Sequence, residues 1–294
     1  MIIWLASFPR SGNTLLRQVL SGALGLGSYS DEPGDEDISK QLADVSHTVG
    51  LLEIKEPWKD FYKRATQSDE IFLVKTHRPP IDNQPAIYVI RDGRKALLSY
   101  EHYHRRRTPI PRPDLLGLVL GVDYYGGWTE HFQRWVSGRP DTLVVGFEEL
   151  VSPTPETLMR LADFTRSKSI PSDWDNPFDQ LQARNPGFFR EGRVTWESPP
   201  EWTPWINSIY MHLHGDLMLR RGYAEASEVE SARNAVGRDV SALLSIISNL
   251  IRDRTDLRSV CDERLTVIDG LKAACDERLG VIDSLSRRLS RWVR

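Results

Sequence analysis

The chain has 294 residues, 40% hydrophobic and 27% charged, with 20 glycines and 18 prolines spread along it rather than clustered. That composition is globular and excludes a collagen-like or wholly disordered chain. A formal charge of −3 gives no global basic field for nucleic acid, so a polyanion site has to be built locally. In chain order, residues 2–6 (IIWLA) predict a first strand, residues 7–13 a loop and residues 14–24 a helix. Residues 29–40 are acidic and loop-like, readable as a lid or as an ordinary surface connection.

Residues 71–75 (IFLVK) and 86–90 (AIYVI) read as buried strands, and the second leads through Asp92 and Gly93 into a helix over 94–104. His102 and His104 precede a basic, proline-rich stretch over 105–116, a second lid or surface connection. Their spacing, with no cysteine or acidic cluster beside it, does not make a metal site. Residues 142–147 (TLVVGF) form another strand, and a helix opens around Pro155, where Ser152 and Thr154 can cap. Short apolar strands alternating with helices predict an α/β fold, a parallel sheet covered on both faces.

After Glu225 the character changes. Apolar residues recur in heptad spacing from Val240 to Leu289, with Arg254, Arg264 and Arg278 in seam positions, and proline is absent beyond Pro204. A 14-residue unit repeats with nine identities, CDERLTVIDGLKAA from Cys261 and CDERLGVIDSLSRR from Cys275. Fourteen residues are two heptads, so each repeat returns to the same helix face. This predicts a catalytic domain over 1–225 and a helical coiled-coil tail over 226–294 that makes a homo-oligomer. The rival is an amphipathic helix lying along its own domain. Cys261 and Cys275 rule out a disulfide framework. On one helix they would stand about 21 Å apart. The longest apolar runs fall well short of the roughly 20 residues of a membrane span. With no basic leader ahead of the first strand, the expected setting is the reducing cytoplasm.

The chemistry concentrates in strand, Ser7-Phe8-Pro9-Arg10-Ser11-Gly12-Asn13-Thr14, helix. Successive backbone N–H groups and a helix N-terminus face an anion there, and Gly12 allows close backbone approach. Thr14 adds a hydroxyl and Arg10 a fixed positive charge. The loop lacks the GK[ST] ending of an NTPase P-loop.

The loop resembles the phosphosulfate-binding loop of sulfotransferases, commonly written YPKSGTTW. Three further segments resemble that family in its order: Val74-Lys75-Thr76-His77, residues 88–99 (YVIRDGRKALLS) and residues 188–192 (FFREG). Residues 146–150 (GFEEL) sit where the family has a strand ending in YED. The likeness covers about residues 2–223. It implies a three-layer, P-loop-like fold similar to nucleotide kinases. It also implies sulfuryl transfer from 3′-phosphoadenosine 5′-phosphosulfate (PAPS), yielding adenosine 3′,5′-bisphosphate, without a metal.

The same resemblance implies roles. Arg10, Ser11, Gly12, Asn13, Thr14 and Leu15 form the phosphosulfate loop, with Arg10 in place of the family's lysine. Arginine keeps the charge but does not give up a proton, so Arg10 acts by electrostatics. His77 is the general base, an ordinary imidazole pKa near ~6.5 suiting that task. Lys75 contacts the sulfuryl group. Arg91 and Ser99, eight residues apart, grip the 3′-phosphate, helped by Arg190 and Gly192, and Phe147 lies in a fourth cofactor-binding segment. A pairing of Arg91 with Asp92 at the helix start is the structural alternative. Glu191 reverses the family's usual lysine. Leu15 replaces the adenine-stacking tryptophan, for which Trp4 and Trp196 are substitutes or simply core. An ATP kinase would leave the Arg91/Ser99 pair without a purpose, and an inactive scaffold would not need His77 and Arg10. The acceptor is a hydroxyl of a small molecule, saccharide or peptide-like compound.

Overall fold

Strand β1 (Ile2–Ser7) is buried along its whole length because it has a neighbour on each edge and a packed layer on each face. The computed structural model of the protein describes residues 1–31, 49–107, 113–169, 171–172, 174–184 and 195–292. Among them β1, β2 (Tyr29–Ser30), β3 (Phe72–Thr76), β4 (Ala86–Ile90) and β5 (Thr142–Gly146) form a five-stranded sheet ordered β2-β3-β1-β4-β5. Every pairing is parallel, with Leu5 opposite Lys75 and Ile87. The helices are α1 (Asn13–Leu24), α2 (Trp58–Gln67), α3 (Gly93–Arg107), α4 (Leu115–Val119), α5 (Trp128–Val136) and α6 (Phe147–Val151). They continue with α7 (Pro155–Phe164), α8 (Phe178–Arg184), α9 (Pro204–Arg220), α10 (Ala226–Val236) and α11 (Arg238–Trp292).

The two-residue period of a strand sends alternate side chains to opposite faces, and the core divides accordingly. Ile3, Leu5, Leu73, Ile87 and Val89 pack under Leu16 and Leu20 of α1 and Leu158 and Leu161 of α7. Ile2, Trp4, Val74 and Tyr88 pack on the other side, with Leu97 of α3, Trp128 and Trp135 of α5 and Met211 of α9. A buried side chain of that size contributes roughly 2 kcal/mol. This is the expected three-layer α/β architecture.

Of the two predicted lids, residues 32–48 and 108–112 lie outside the described residues. Their flanks are ordered: Tyr29 and Ser30 pair with β3, and Leu115 opens α4 behind an Asp114 cap that accepts from the Gly117 N–H.

The chain falls into two compact units, Met1–Ser245 and Ile246–Arg294. α10 buries Val229, Ala232 and Val236, and the start of α11 buries Leu244 with Val240 packed beside it, so residues 226–245 belong by packing to the first unit. In the second unit the helix is continuous, and apolar residues of the heptad pattern such as Leu250, Leu257 and Leu271 are exposed. No described helix is long and apolar enough to cross a membrane.

Candidate active site

The ends of β1, β3 and β4 lie side by side at one edge of the sheet, so the segments after them converge from distant points in the sequence. Parallel α/β sheets build their sites at this carboxyl edge. After β1 the chain turns tightly, with Ser11 N–H donating to Phe8 O at 3.1 Å. α1 then opens from Gly12 without any side-chain cap. Its first N–H groups are therefore the kind that a helix offers to an anion. Asn13 ties the loop to β1, its Nδ2 donating to Leu5 O at 2.7 Å. Ser11 Oγ is buried and has no hydrogen-bond partner among the described residues.

Gly12 has φ of +107°, and a Cβ placed on it would lie 2.6 Å from Cδ2 of Phe147. Close approach is thus needed on the inner side of the loop, by a ring the sequence places on another element. The Phe147 ring in turn stacks on the Arg91 guanidinium, 4.2 Å from its centroid. Arg91 Nη1 donates to Arg10 O at 3.2 Å.

Arg10 has a backbone φ of +64°, uncommon for a residue with a Cβ. Its Nε donates to Ser99 Oγ at 3.2 Å, and its guanidinium lies 5.0 Å from the centroid of Tyr103. The structure therefore gathers Arg10, Arg91 and Ser99, with Arg10 as the link between the other two. Asp92, the other candidate partner of Arg91, is engaged by Arg94. It takes a bidentate contact from Arg94, whose second partners are Glu228 at 2.9 Å and Tyr223 O at 2.6 Å. That buried brace ties the start of α3 to α10.

His77 follows β3 and reaches back to β1. Its Nδ1 is 2.8 Å from Ser7 O and 3.2 Å from Ser7 Oγ. A carbonyl oxygen only accepts, so Nδ1 carries the proton and Nε2 is the basic nitrogen. The His77 carbonyl accepts from His131 Nε2 at 2.8 Å, and His131 Nδ1 pairs with Tyr88 OH at 2.8 Å. Burial pushes the Tyr88 phenol well above its ordinary range, so it stays protonated and donates. Tyr125 packs edge-on against His77 at 6.1 Å.

Lys75 is buried at the end of β3. Thr14 and Leu15 lie in the first turn of α1, half-buried. Trp4 is 1% exposed and packs among Trp58, Tyr62 and Trp135, so it is core and not a surface for a base to stack on. Trp196 packs on Trp202 and under Arg94. Arg190, Glu191 and Gly192 lie outside the described residues. Among those described, no three acidic, histidine or cysteine side chains are grouped to hold a metal. Sequence reasoning did not find Ser7, Tyr88, His131 or Tyr103. The one available signal was His131, polar among the apolar positions Trp128, Phe132 and Trp135 of an amphipathic helix.

The chain belongs to the sulfotransferase family: the family model for the sulfotransferase domain matches residues 2–184. It is 31% identical over 96 residues to rat sulfotransferase 2A6, covering 30% of this chain and 34% of that one. To dog sulfotransferase 1A1 it is 25% identical over 185 residues, 58% of this chain and 60% of the relative. The chain thus spans about a third to three-fifths of these curated relatives' length. Among solved structures, mouse sulfotransferase SULT7A1 complexed with PAP is similar at 19% identity and a TM-score of 0.46, over 84% of this chain and 88% of that one.

Proposed function

We propose that the protein acts in the cytoplasm as a PAPS-dependent sulfotransferase, moving a sulfuryl group to a hydroxyl of a small-molecule or saccharide acceptor. The observation that carries the reading is His77, held beside the anion loop with Nδ1–H committed to Ser7 O. The loop fits the group it would hold. Its helix end is uncapped and the Ser11 hydroxyl has no partner among the described residues, both suited to phosphate oxygens. Arg10, Ser11, Gly12, Asn13, Thr14 and Leu15 would hold the 5′ side. Arg91 and Ser99, with Arg190 and Gly192, would hold the 3′-phosphate. Phe147 would shape the floor between the two.

When bound, PAPS supplies the electrophilic sulfuryl group together with a bisphosphate leaving group. His77 takes the acceptor hydroxyl proton at Nε2 as the new oxygen–sulfur bond forms. Arg10 stays charged and offsets the negative charge left on the departing phosphate oxygen, and Lys75 does the same on the sulfuryl side. Tyr125, packed against His77, gives the acceptor an aromatic wall that suits a sugar face or an apolar ring. The heptad tail serves self-association, and its two exposed thiols fit a reducing compartment.

Adenosine 3′,5′-bisphosphate should raise the melting temperature by mass action and AMP far less. With labelled PAPS and an acceptor panel, His77→Ala should lower turnover by about 10²–10⁴-fold with the bisphosphate shift retained. Equal stabilisation by the two nucleotides, or full turnover in His77→Ala, would overturn the reading.

A further inference from the structure

The helix of the second unit carries an exposed apolar stripe, and its heptads specify what covers it. With Ile247 at position a, Arg254, Cys261, Ile268, Cys275 and Ile282 also fall at a, and Leu250, Leu257 and Leu271 fall at d. Leu257 is 67% exposed and Leu271 62%, far more apolar surface than a lone helix keeps in water. Isoleucine at a with leucine at d is the preference of a parallel two-stranded coiled coil.

Charge supports the same arrangement. In a parallel pair, position g of one helix meets position e five residues on in the other. Asp253 and Arg258 hold those two positions and are opposite in charge. Antiparallel helices would set g against g and e against e, placing Asp253 away from Arg258. Val260 with Leu265 and Ala274 with Leu279 are further g–e pairs, both apolar, which widen the contact.

Register follows from the arginines. Arg264 and Arg278 fall at d, three residues after each cysteine. A slip of one heptad would set both of these arginines against leucine and would bring Cys261 of one copy against Arg254 of the other. In register the arginines share a layer and carry their guanidinium groups out along the seam edge on apolar stems.

We propose that the stripe is covered by the same stripe of a second copy. The two form a parallel, in-register two-stranded coiled coil over residues 247–282, about 54 Å long. Cys261 then faces the partner's Cys261, and Cys275 the partner's Cys275. The proposal rests on the self-association reading above and adds strand number, direction and register to it.

The test uses the full chain and two single-cysteine variants, Cys275→Ser and Cys261→Ser, treated with a short bis-maleimide that adds one thiol at each end. Light scattering should give twice the 33.6 kDa chain mass. Both variants should cross-link to covalent dimers, because in an antiparallel pair at most one of the two cysteines can face its own copy. Leu271→Glu should return the mass to a single chain while the bisphosphate still raises the melting temperature. A monomeric full chain would overturn self-association itself. A dimer in which either variant fails to cross-link would overturn only the parallel register, and a trimer or larger species only the strand number. A dimer that survives Leu271→Glu would move the interface off this seam and overturn the proposal.

Discussion

At the scale of single residues, the site is defined by how His77 is held. Ser7 O fixes which nitrogen carries the proton, and His131 fixes the backbone one bond away, itself fixed by Tyr88. His131 is fully buried and holds His77 through its backbone carbonyl, so it is a positioning residue. His131→Ala removes the hydrogen bonds that His131 makes to that carbonyl and to the Tyr88 hydroxyl. Turnover should fall by about 10- to 100-fold, the cost of a misplaced catalytic group, with the KM for PAPS unchanged. His131→Gln, which restores an N–H donor, should recover most of it. A folded His131→Ala protein with unchanged turnover would remove the residue from this role. His77 and Arg10 were legible because each sits in a short local motif. Ser7, Tyr88 and His131 were not, because their roles exist only once segments 43 to 70 residues apart meet.

At the scale of elements, the turn between β1 and α1 is constrained from inside the fold. Gly12 holds a left-handed backbone, and the Phe147 ring occupies the space a methyl group would need. Gly12→Ala should cost about 1–3 kcal/mol through strain and overlap, read as a lower melting temperature. It should also weaken bisphosphate binding, because the loop must lift off Phe147. A variant that keeps both values would show that the turn is looser than its geometry. The strands β1, β3, β4 and β5 were legible to within a residue or two because buried parallel strands are short continuous apolar runs. β2 was not, since two residues carry no period. The tail's heptads were legible, but Val240 and Leu244 fit both a seam and a core, and only packing shows that the first unit takes them.

At the scale of the whole molecule, His214 ties stability to pH. Burial holds its imidazole at about 4, the Val119 carbonyl opposing part of that shift. Its Nε2–H donates to Val119 O at 2.9 Å, and Nδ1 accepts from Thr129. Unfolded, the same ring titrates near ~6.5. Between those values the unfolded chain binds the extra proton. His214's contribution is therefore complete above pH ~6.5 and declines as pH falls toward 4, by roughly 1.4 kcal/mol per pH unit. Urea unfolding at pH 7, 6 and 5 should show this slope, and His214→Gln should flatten it. Equal slopes in the two proteins would assign the acid sensitivity elsewhere.

β1 is the central strand of the sheet, yet it precedes the other four in the chain. Its edges close only on Phe72 and on Ala86. At about 5–20 residues per second, six apolar-rich residues wait roughly 4–17 s for β4. The Gly12 turn waits longer still for Phe147. A nascent chain released between β1 and β3 carries this apolar strand, buried along its whole length in the fold, with neither neighbour. Such fragments should depend on chaperone capture to stay in solution, and those released after β5 should not.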